Sequence, residues 1–461
     1  MDEELRLGIQ LIITDAVQAS PTDEILLIFD ESVEQFVPFF MTEAIRNSLS
    51  LTCLFIPLQY QRYLSEKMII DRGMIWLPTL VKNGIINASI IINILGGHGD
   101  TLPVRRAILD VPRQRESRFA HVPGLSEEVI RTIAQTNFKE IIERCELLGW
   151  FLGNGQNFCL ETYDRSGASY TLEATLGGWD NEPLLSPGQI LPGSWGNLPP
   201  GEVFCLPEMD SAEGEVCING SVPSMPFTPD EHIVLVFKSG RLVSWRSPNS
   251  PRASAFFDDQ RSRALINGDA NWNCFTELGI GLNPSVTSLT GNALFDEKAA
   301  GTIHVAIGAN DVFGGPIVAD IHHDLVTWKP SLQVDNVCLL RRGELLLDTL
   351  KEYRQGWQLT PPHFSAEQLE MKVMIKESDT HQEPGIIYRR LCRAGRIGQV
   401  VMATGKSSAA LDQLINFLRE HRGIRLSDLI ETFPDFDGVD TKELIGQLNH
   451  FRCIILTNQR A

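Results

Sequence analysis

The sequence predicts a three-part molecule: an α/β N-terminal domain over residues 1–155, a β-rich domain over 156–349 and an α+β extension over 350–461. Three observations predict it. Strand-like and helix-length segments alternate near the N-terminus, the signature of an α/β layer with parallel strands. From about residue 157 the runs become short and are broken by Gly, Pro and Asn. Amphipathic helical stretches then dominate the C-terminal part. A length of 461 residues admits about two to four domains, and a hydrophobic fraction of 43% supplies their cores.

"EILLIFD" (24–30) reads as a buried strand, "SVEQFVPFFMTEAIRNSL" (32–49) as a helix and "LTCLFIP" (51–57) as a strand again. "ASIIINILGGHGD" (88–100) reads as a further strand entering a glycine turn. Its spacing is not GxGxxG, and no helix is expected after it, so the glycines are read as a plain turn. Residues 115–150 show apolar residues at three-to-four spacing and are expected to be helical, with the serine of "LSEEVI" as a start signal. "SYTLEATLGG", "GEVFCLP", "GEVCING" and "HIVLVFKSGRLVSW" are strand-like, and "LLRRGELLL" (339–347) closes the β-rich part as a hairpin. In the last segment "KESDTHQEPG" (376–385) reads as a loop. "ALDQLINFL", "RLSDLIETF" and "DTKELIGQL" read as three short helices, the third with Asp440 and Glu443 spaced as a capping box, and "CIILT" as a strand. That order is winged-helix-like.

The formal net charge is −18, which disfavours non-specific phosphate-backbone binding. The nine cysteines form no CxxC pair and sit mostly in apolar runs. They are expected to be buried free thiols of a cytoplasmic protein. The chain begins "MDEELR", without a basic-then-apolar leader. The most apolar window, Ile85 to Leu95, is shorter than the ~20 residues a bilayer requires, so no membrane partner is expected.

The chemistry concentrates in "TIHVAIGANDVFGGPIVADIHHDLV" (302–326), which holds three of the ten histidines. Imidazole and carboxylate are the donors that divalent cations take. In a strand, residues i and i+2 share a face. His322 and Asp324 therefore converge on one ion while His323 faces away. His304, Glu277 in "NCFTELGIGLNP" and Glu202 in "LPPGEVFCLP" are further charged or imidazole groups in apolar settings, where an unpaired charge is costly.

"GNLPPGEVFCLPEMDSAEGEV", "ELGIGLNP", "LFDEKAAGTIHVAIG" and "IHHD" together resemble the thermophilic metalloaminopeptidase family, the aminopeptidase T and aminopeptidase S group, over about residues 20–349. The resemblance implies an aminopeptidase T-like fold, frequent homodimers and a two-metal site. It implies Glu202, Glu277, His304, His322 and Asp324 as ligands, with Glu202 and Glu277 open between ligand and catalytic base. The ions implied are one or two of zinc, cobalt or manganese. Two features depart from those peptidases. The tyrosine they carry seven residues after the histidine is Asp311 here, so a phenol donor to an oxyanion is missing. The interval from His304 to His322 is short, in a form that also resembles a relative opening dihydroxypyridine rings with one ferrous ion. Two histidines and one carboxylate are the usual ligands of non-haem iron oxygenases.

Other motifs are weaker. "GQVVMATGKSS" (398–408) ends like a phosphate-binding loop but has Val400 where the first glycine belongs. There is no HExxH and no G-x-S-x-G elbow. His98 and His232 read as structural or surface residues. From Gly405 to Ala461 seven basic residues face eight acidic ones, a poor nucleic-acid footprint. The extension resembles, over a short span, the leader-peptide recognition elements of ribosomal peptide natural-product pathways, which bind a peptide as an added strand. The expected function is a metal-dependent peptidase-like enzyme acting on a specific peptide or peptide-derived substrate, with a leader peptide as candidate partner of the extension. The alternatives are a mononuclear iron oxygenase and a non-catalytic peptide-binding protein on the same scaffold.

Overall fold

The near-continuous apolar strand Ile90–Asn93 is buried along its whole length, as a central parallel strand must be. In the computed structural model it pairs in parallel with Glu24–Phe29 on one side and Arg118–His121 on the other. Ser50–Phe55 and Trp195–Asn197 complete a five-stranded sheet of entirely parallel pairs. The structure describes residues 2–70, 76–97, 101–111, 117–176 and 183–356. Beyond these it describes 372–375, 380–383, 386–393, 396–404, 408–421, 423–436, 438–442, 444–445 and 454–457.

Two local expectations are corrected. Arg118–His121, expected to be helical, is a strand because it fills the sheet position beside Ile90–Asn93, where tertiary pairing overrides local pattern. Helices do follow, at Glu127–Gln135 and Phe138–Asn154. A helix, Leu102–Asp110, comes after the glycine turn where none was expected. Its Pro103 lies in the first turn, where the missing N–H costs nothing. His98 lies outside the described residues.

The middle of the chain forms two antiparallel sheets. Eight strands run in the order 241–246, 233–238, 213–218, 169–175, 157–163, 331–334, 337–341 and 344–345. The last two form the predicted hairpin. Seven strands run in the order 225–226, 221–222, 322–328, 302–308, 275–281, 202–205 and 184–186. The sheets share one core, to which Phe158, Leu160, Leu172, Val216 and Leu235 come from the first and Val203, Leu278, Ile280, Ile303, Val305 and Leu325 from the second. An unforeseen helix, Pro251–Asn267, lies within this region.

In the C-terminal part the helices Ser408–Glu420 and Leu426–Thr432 lie where predicted. Strand Ile454–Thr457 pairs with Lys372–Ile375, which also pairs with Ile424–Arg425. Thr380–Glu383, inside the segment expected to be a loop, is instead the edge of a second small sheet with Ile386–Arg393 and Arg396–Thr404. Asp440 accepts from Lys442 N at 2.7 Å, while Glu443, the other half of the proposed capping box, lies outside the described residues. So do residues 405–407 of the G-K-S motif.

Among the described residues no helix is long and apolar enough to cross a membrane. Cys145, Cys205, Cys217 and Cys274 are buried free thiols as expected. Cys53 is exposed, because its strand is the edge of the parallel sheet.

Helix Glu3–Leu11 lies against Glu127–Gln135 at Gly8, where a Cβ would come within 2.2 Å of the Ile130 carbonyl oxygen. Backbone cannot retreat as a side chain can. Gly8→Ala is therefore expected to destabilise the N-terminal layer by about 1–3 kcal/mol, the usual cost of overpacking. Denaturant unfolding checks this, and an unchanged midpoint would show that the two helices part easily.

Candidate metal centre

The parity of four adjacent strands builds the site. Ile303, Val305 and Ile307 point into the shared core, so His304 and Ala306 point to the opposite face. Leu325 joins the core, which puts His322 and Asp324 on the His304 side. Val203 and Cys205 are core residues, so Glu202 and Phe204 face the same way. In Phe275–Gly281 both Phe275 and Leu278 reach the core, three positions apart, and strict alternation would forbid that. A register shift between Phe275 and Glu277 resolves it. This bulge turns Glu277 onto the site face.

Cross-strand pairing then aligns these side chains. Glu277 is opposite Ala306, which is opposite Asp324. The small alanine lies between two carboxylates and leaves room for them to converge. Gly279 is opposite His304, and Gly281 opposite Glu202. A Cβ at Gly279 would lie 2.0 Å from His304 Cε1, so the imidazole occupies the space a side chain would fill.

His304 Nε2 lies 3.1 Å from Glu277 Oε1. His322 Nε2 lies 3.2 Å from Asp324 Oδ1 and 3.6 Å from Glu277 Oε2, without hydrogen-bond alignment to either. His322 Nδ1 donates to the Ala309 carbonyl at 2.6 Å. That bond fixes the tautomer and leaves Nε2 free to ligate. His323 points away and meets Gln260 Oε1 at 3.2 Å and the Phe256 ring, both on helix Pro251–Asn267.

All five residues singled out in the sequence are thus brought together, and two more join them. Glu297 and Lys298 follow the short helix Ala293–Asp296. Lys298 Nζ lies 2.5 Å from Glu202 Oε1 and pairs with Glu297 Oε1 as well. All three are buried, Lys298 completely. Their neighbour Asp296 is structural and accepts from Ser221 Oγ, Thr290 N and Gly291 N. The signal for Glu297 and Lys298 was in the quoted "LFDEKAAGTIHVAIG" segment, where DEK precedes the histidine.

Potential ligand atoms form two groups: Glu202, Glu297 and His304, and Glu277, His322 and Asp324, each within 4.8 Å of one another. Glu277 Oε2, His304 Nδ1 and Asp324 Oδ1 are buried and have no hydrogen-bond partner. Leaving a buried polar atom unsatisfied costs about 1–3 kcal/mol. Two such carboxylate oxygens in one cluster, with an imidazole nitrogen that offers a lone pair once its proton leaves, fit a cation.

The electrostatics agree. Burial pushes the Glu277 carboxyl up, against the opposing pull of His304 and His322. Burial pushes Glu297 well up too, and the Glu202 charge adds to it. Burial opposes the Lys298 ammonium, but the charges of Glu202 and Glu297 outweigh it and raise its pKa. Burial alone would lower both site imidazoles. The contact with Glu277 and the Asp324 charge carry His304 to about 9, and the Asp324 charge carries His322 to about 10. Burial and the neighbouring His322 charge outweigh the pull of Asp324 on His323 and lower it to about 4. His232 lines a separate cleft with Asp164, Tyr170 and Arg246.

Two outcomes are expected. His322→Ala or Asp324→Ala removes most bound divalent metal with the fold retained, whereas His323→Ala leaves metal content nearly intact; elemental analysis with circular dichroism reads both. Full metal content in either of the first two variants would refute the assignment. The second outcome concerns protons. Without metal, His304 and His322 hold protons up to about pH 9 and 10. A ligating imidazole must be neutral, so loading at pH 7 releases protons and affinity rises with pH over that range. Calorimetry in buffers of different ionisation enthalpy measures this, and no release at pH 7 would exclude the imidazoles as ligands.

Comparison with known proteins agrees with this geometry. Residues 193–313 match the family described as thermophilic metalloprotease (M29). That span includes Glu202, Glu277, Glu297 and His304, and ends before His322. No curated protein matches the sequence. Among solved structures, 2,5-dihydroxypyridine dioxygenase from Pseudomonas putida KT2440 superposes with a TM-score of 0.55 at 16% identity, covering 74% of this chain and 96% of that one. Wild-type AmpT from Thermus thermophilus superposes with a TM-score of 0.50 at 16% identity, covering 75% of this chain and 99% of that one. The winged-helix likeness of the extension finds no support in these comparisons. The chain has an aminopeptidase T-like fold, and over residues 193–313 it is similar to the thermophilic metalloprotease family.

Proposed function

We propose that the protein is a divalent-metal-dependent hydrolase of the peptidase type, selective for a particular peptide or peptide-derived substrate. The observation that carries this is the convergence of Glu277, His304, His322 and Asp324, three of them with an unsatisfied buried atom, on strands that include a metalloprotease-like segment. A divalent ion held there supplies Lewis-acid polarisation of a carbonyl and acidification of a water. The chain's own groups do the rest. Asp324 and His322 hold the ion, with the Ala309 carbonyl orienting His322. His304 orients Glu277. Lys298 engages Glu202, so in this reading Glu277 completes the ligand set with His322 and Asp324.

The mouth of the centre supports selectivity. Phe313 packs edge-on against His322 at 5.3 Å and against Phe204 at 5.2 Å. Asp311, where the peptidases place tyrosine, is exposed. The chain has six tyrosines, and none falls in the segments that build the centre. A second reading, a mononuclear iron dioxygenase, is favoured by this missing phenol. Zinc, cobalt or manganese dependence supports hydrolysis, and ferrous dependence with dioxygen consumption supports the dioxygenase.

Loss of one oxyanion donor costs on the order of 10²–10³ in rate. The metal-loaded protein is therefore expected to turn over leucyl and alanyl anilides slower by about that factor than a metallopeptidase that retains the phenol. Fast release of the chromophore would show that this centre needs no phenol and that the selectivity reading is wrong.

A further inference from the structure

Lys298 is a lysine with no route to solvent, placed among groups that would otherwise ligate metal. Its side chain is enclosed, and its backbone is pinned by Lys298 N donating to the Phe295 carbonyl at 3.2 Å and Asn283 N donating to the Lys298 carbonyl at 2.8 Å. Its ammonium lies on carboxylate oxygens of Glu202 and Glu297. These are two of the three residues in the inner ligand group. Among the described residues no lysine or arginine forms an ion pair with the outer group, Glu277, His322 and Asp324, whose side chains are partly exposed at His322 and Asp324.

We infer that Lys298 takes the place of a second metal ion, so that the centre binds one divalent cation, at Glu277, His322 and Asp324. This rests on the metal-centre reading above. The reason is chemical. An ammonium has three donors and no lone pair, so it saturates carboxylate oxygens and cannot itself ligate. A two-ion centre needs its ions about 3.5–4 Å apart, sharing or neighbouring the same carboxylates. Here one of those positions holds a positive charge tethered to the backbone. A divalent ion entering the inner group would meet that charge and would have to displace it from Glu202 and Glu297. The enclosed side chain leaves the ammonium nowhere to go. Glu202 and Glu297 are, on this account, partners of Lys298 that neutralise it and shape the floor beneath the metal.

The test is metal stoichiometry in the full-length protein. The chain is stripped with chelator, reloaded with excess manganese(II), desalted and measured by elemental analysis and electron paramagnetic resonance. One manganese per chain is expected, with the spectrum of an isolated ion. Glu297→Gln is expected to leave that content unchanged, whereas Asp324→Ala abolishes it. Two ions per wild-type chain, or a spin-coupled spectrum, overturns the inference while leaving the metal centre standing. A drop in content in Glu297→Gln, with the fold intact, also overturns it by making Glu297 a ligand. No metal in the wild-type protein sinks the metal-centre reading itself. Lys298→Met frees two carboxylates and is expected to admit a second manganese. A folded Lys298→Met protein that still takes only one counts against the inference, and should it not fold, the wild-type and Glu297→Gln measurements decide.

Discussion

Three strand carboxylates, Glu202, Glu277 and Asp324, and Glu297 from the turn beside them are gathered over a sheet whose other face is hydrophobic core. Taking a charge out of water costs several kcal/mol even after relaxation, so such a cluster persists only if it is neutralised from within. The chain supplies one permanent counter-charge, Lys298, and two conditional ones, His304 and His322. In the metal-free protein the imidazoles hold protons and balance the cluster. On the proposed reading, a cation arriving at Glu277, His322 and Asp324 takes the place of the His322 proton. His322 thus stabilises the empty centre and builds the filled one, and this exchange couples metal affinity to pH.

The rest of the middle region can be understood as what lets those groups meet. Glycine at 279 and alanine at 306 remove bulk from the row where imidazole and carboxylates need space. The bulge after Phe275 lets one strand give the core two aromatic or aliphatic anchors and still aim Glu277 at the centre. Gly201, with φ near +118, lets the turn before Glu202 press against Asn283, whose side chain donates to the Pro200 carbonyl at 2.8 Å. That turn follows Trp195–Asn197, the fifth strand of the N-terminal sheet. Glu202 is therefore placed by two layers at once: the parallel sheet before it and the antiparallel sheet it enters.

Much of this was legible in the residues because period-two alternation is a strong signal where one face is core. The alternation of Ile303, Val305 and Ile307 around His304 is visible in the sequence, and the H-x-D spacing announced that His323 would face away. What escaped had physical reasons. Alternation does not reveal a bulge, so Glu277 was indicated by its apolar surroundings and by the family resemblance, not by strand parity. Glu297 and Lys298 lie in a turn, where periodicity carries no information about direction. Arg118–His121 is a strand only because a neighbour pairs with it, and nothing local says so. Helix Pro251–Asn267 was overlooked although Pro251 opens it and Gly268, at φ near +71, closes it, the familiar asymmetry of helix ends.

The fold is shared with a dioxygenase and with an aminopeptidase, so architecture cannot choose between those chemistries. The choice falls to details around a common donor set. Hydrolysis by paired ions spreads the work of activating water and stabilising the oxyanion over two cations and, in the peptidases, a phenol. Here the phenol position is Asp311, an aromatic ring without a donor covers His322, and the inner ligand group is already neutralised by an ammonium. Each difference lowers the number of positive or donating groups available to a developing negative charge. A centre so reduced has less to offer an arbitrary amide. On the proposed hydrolytic reading, such a centre draws more of its rate from holding one substrate in the reactive geometry, because positioning is the contribution that removing an ion or a donor leaves untouched.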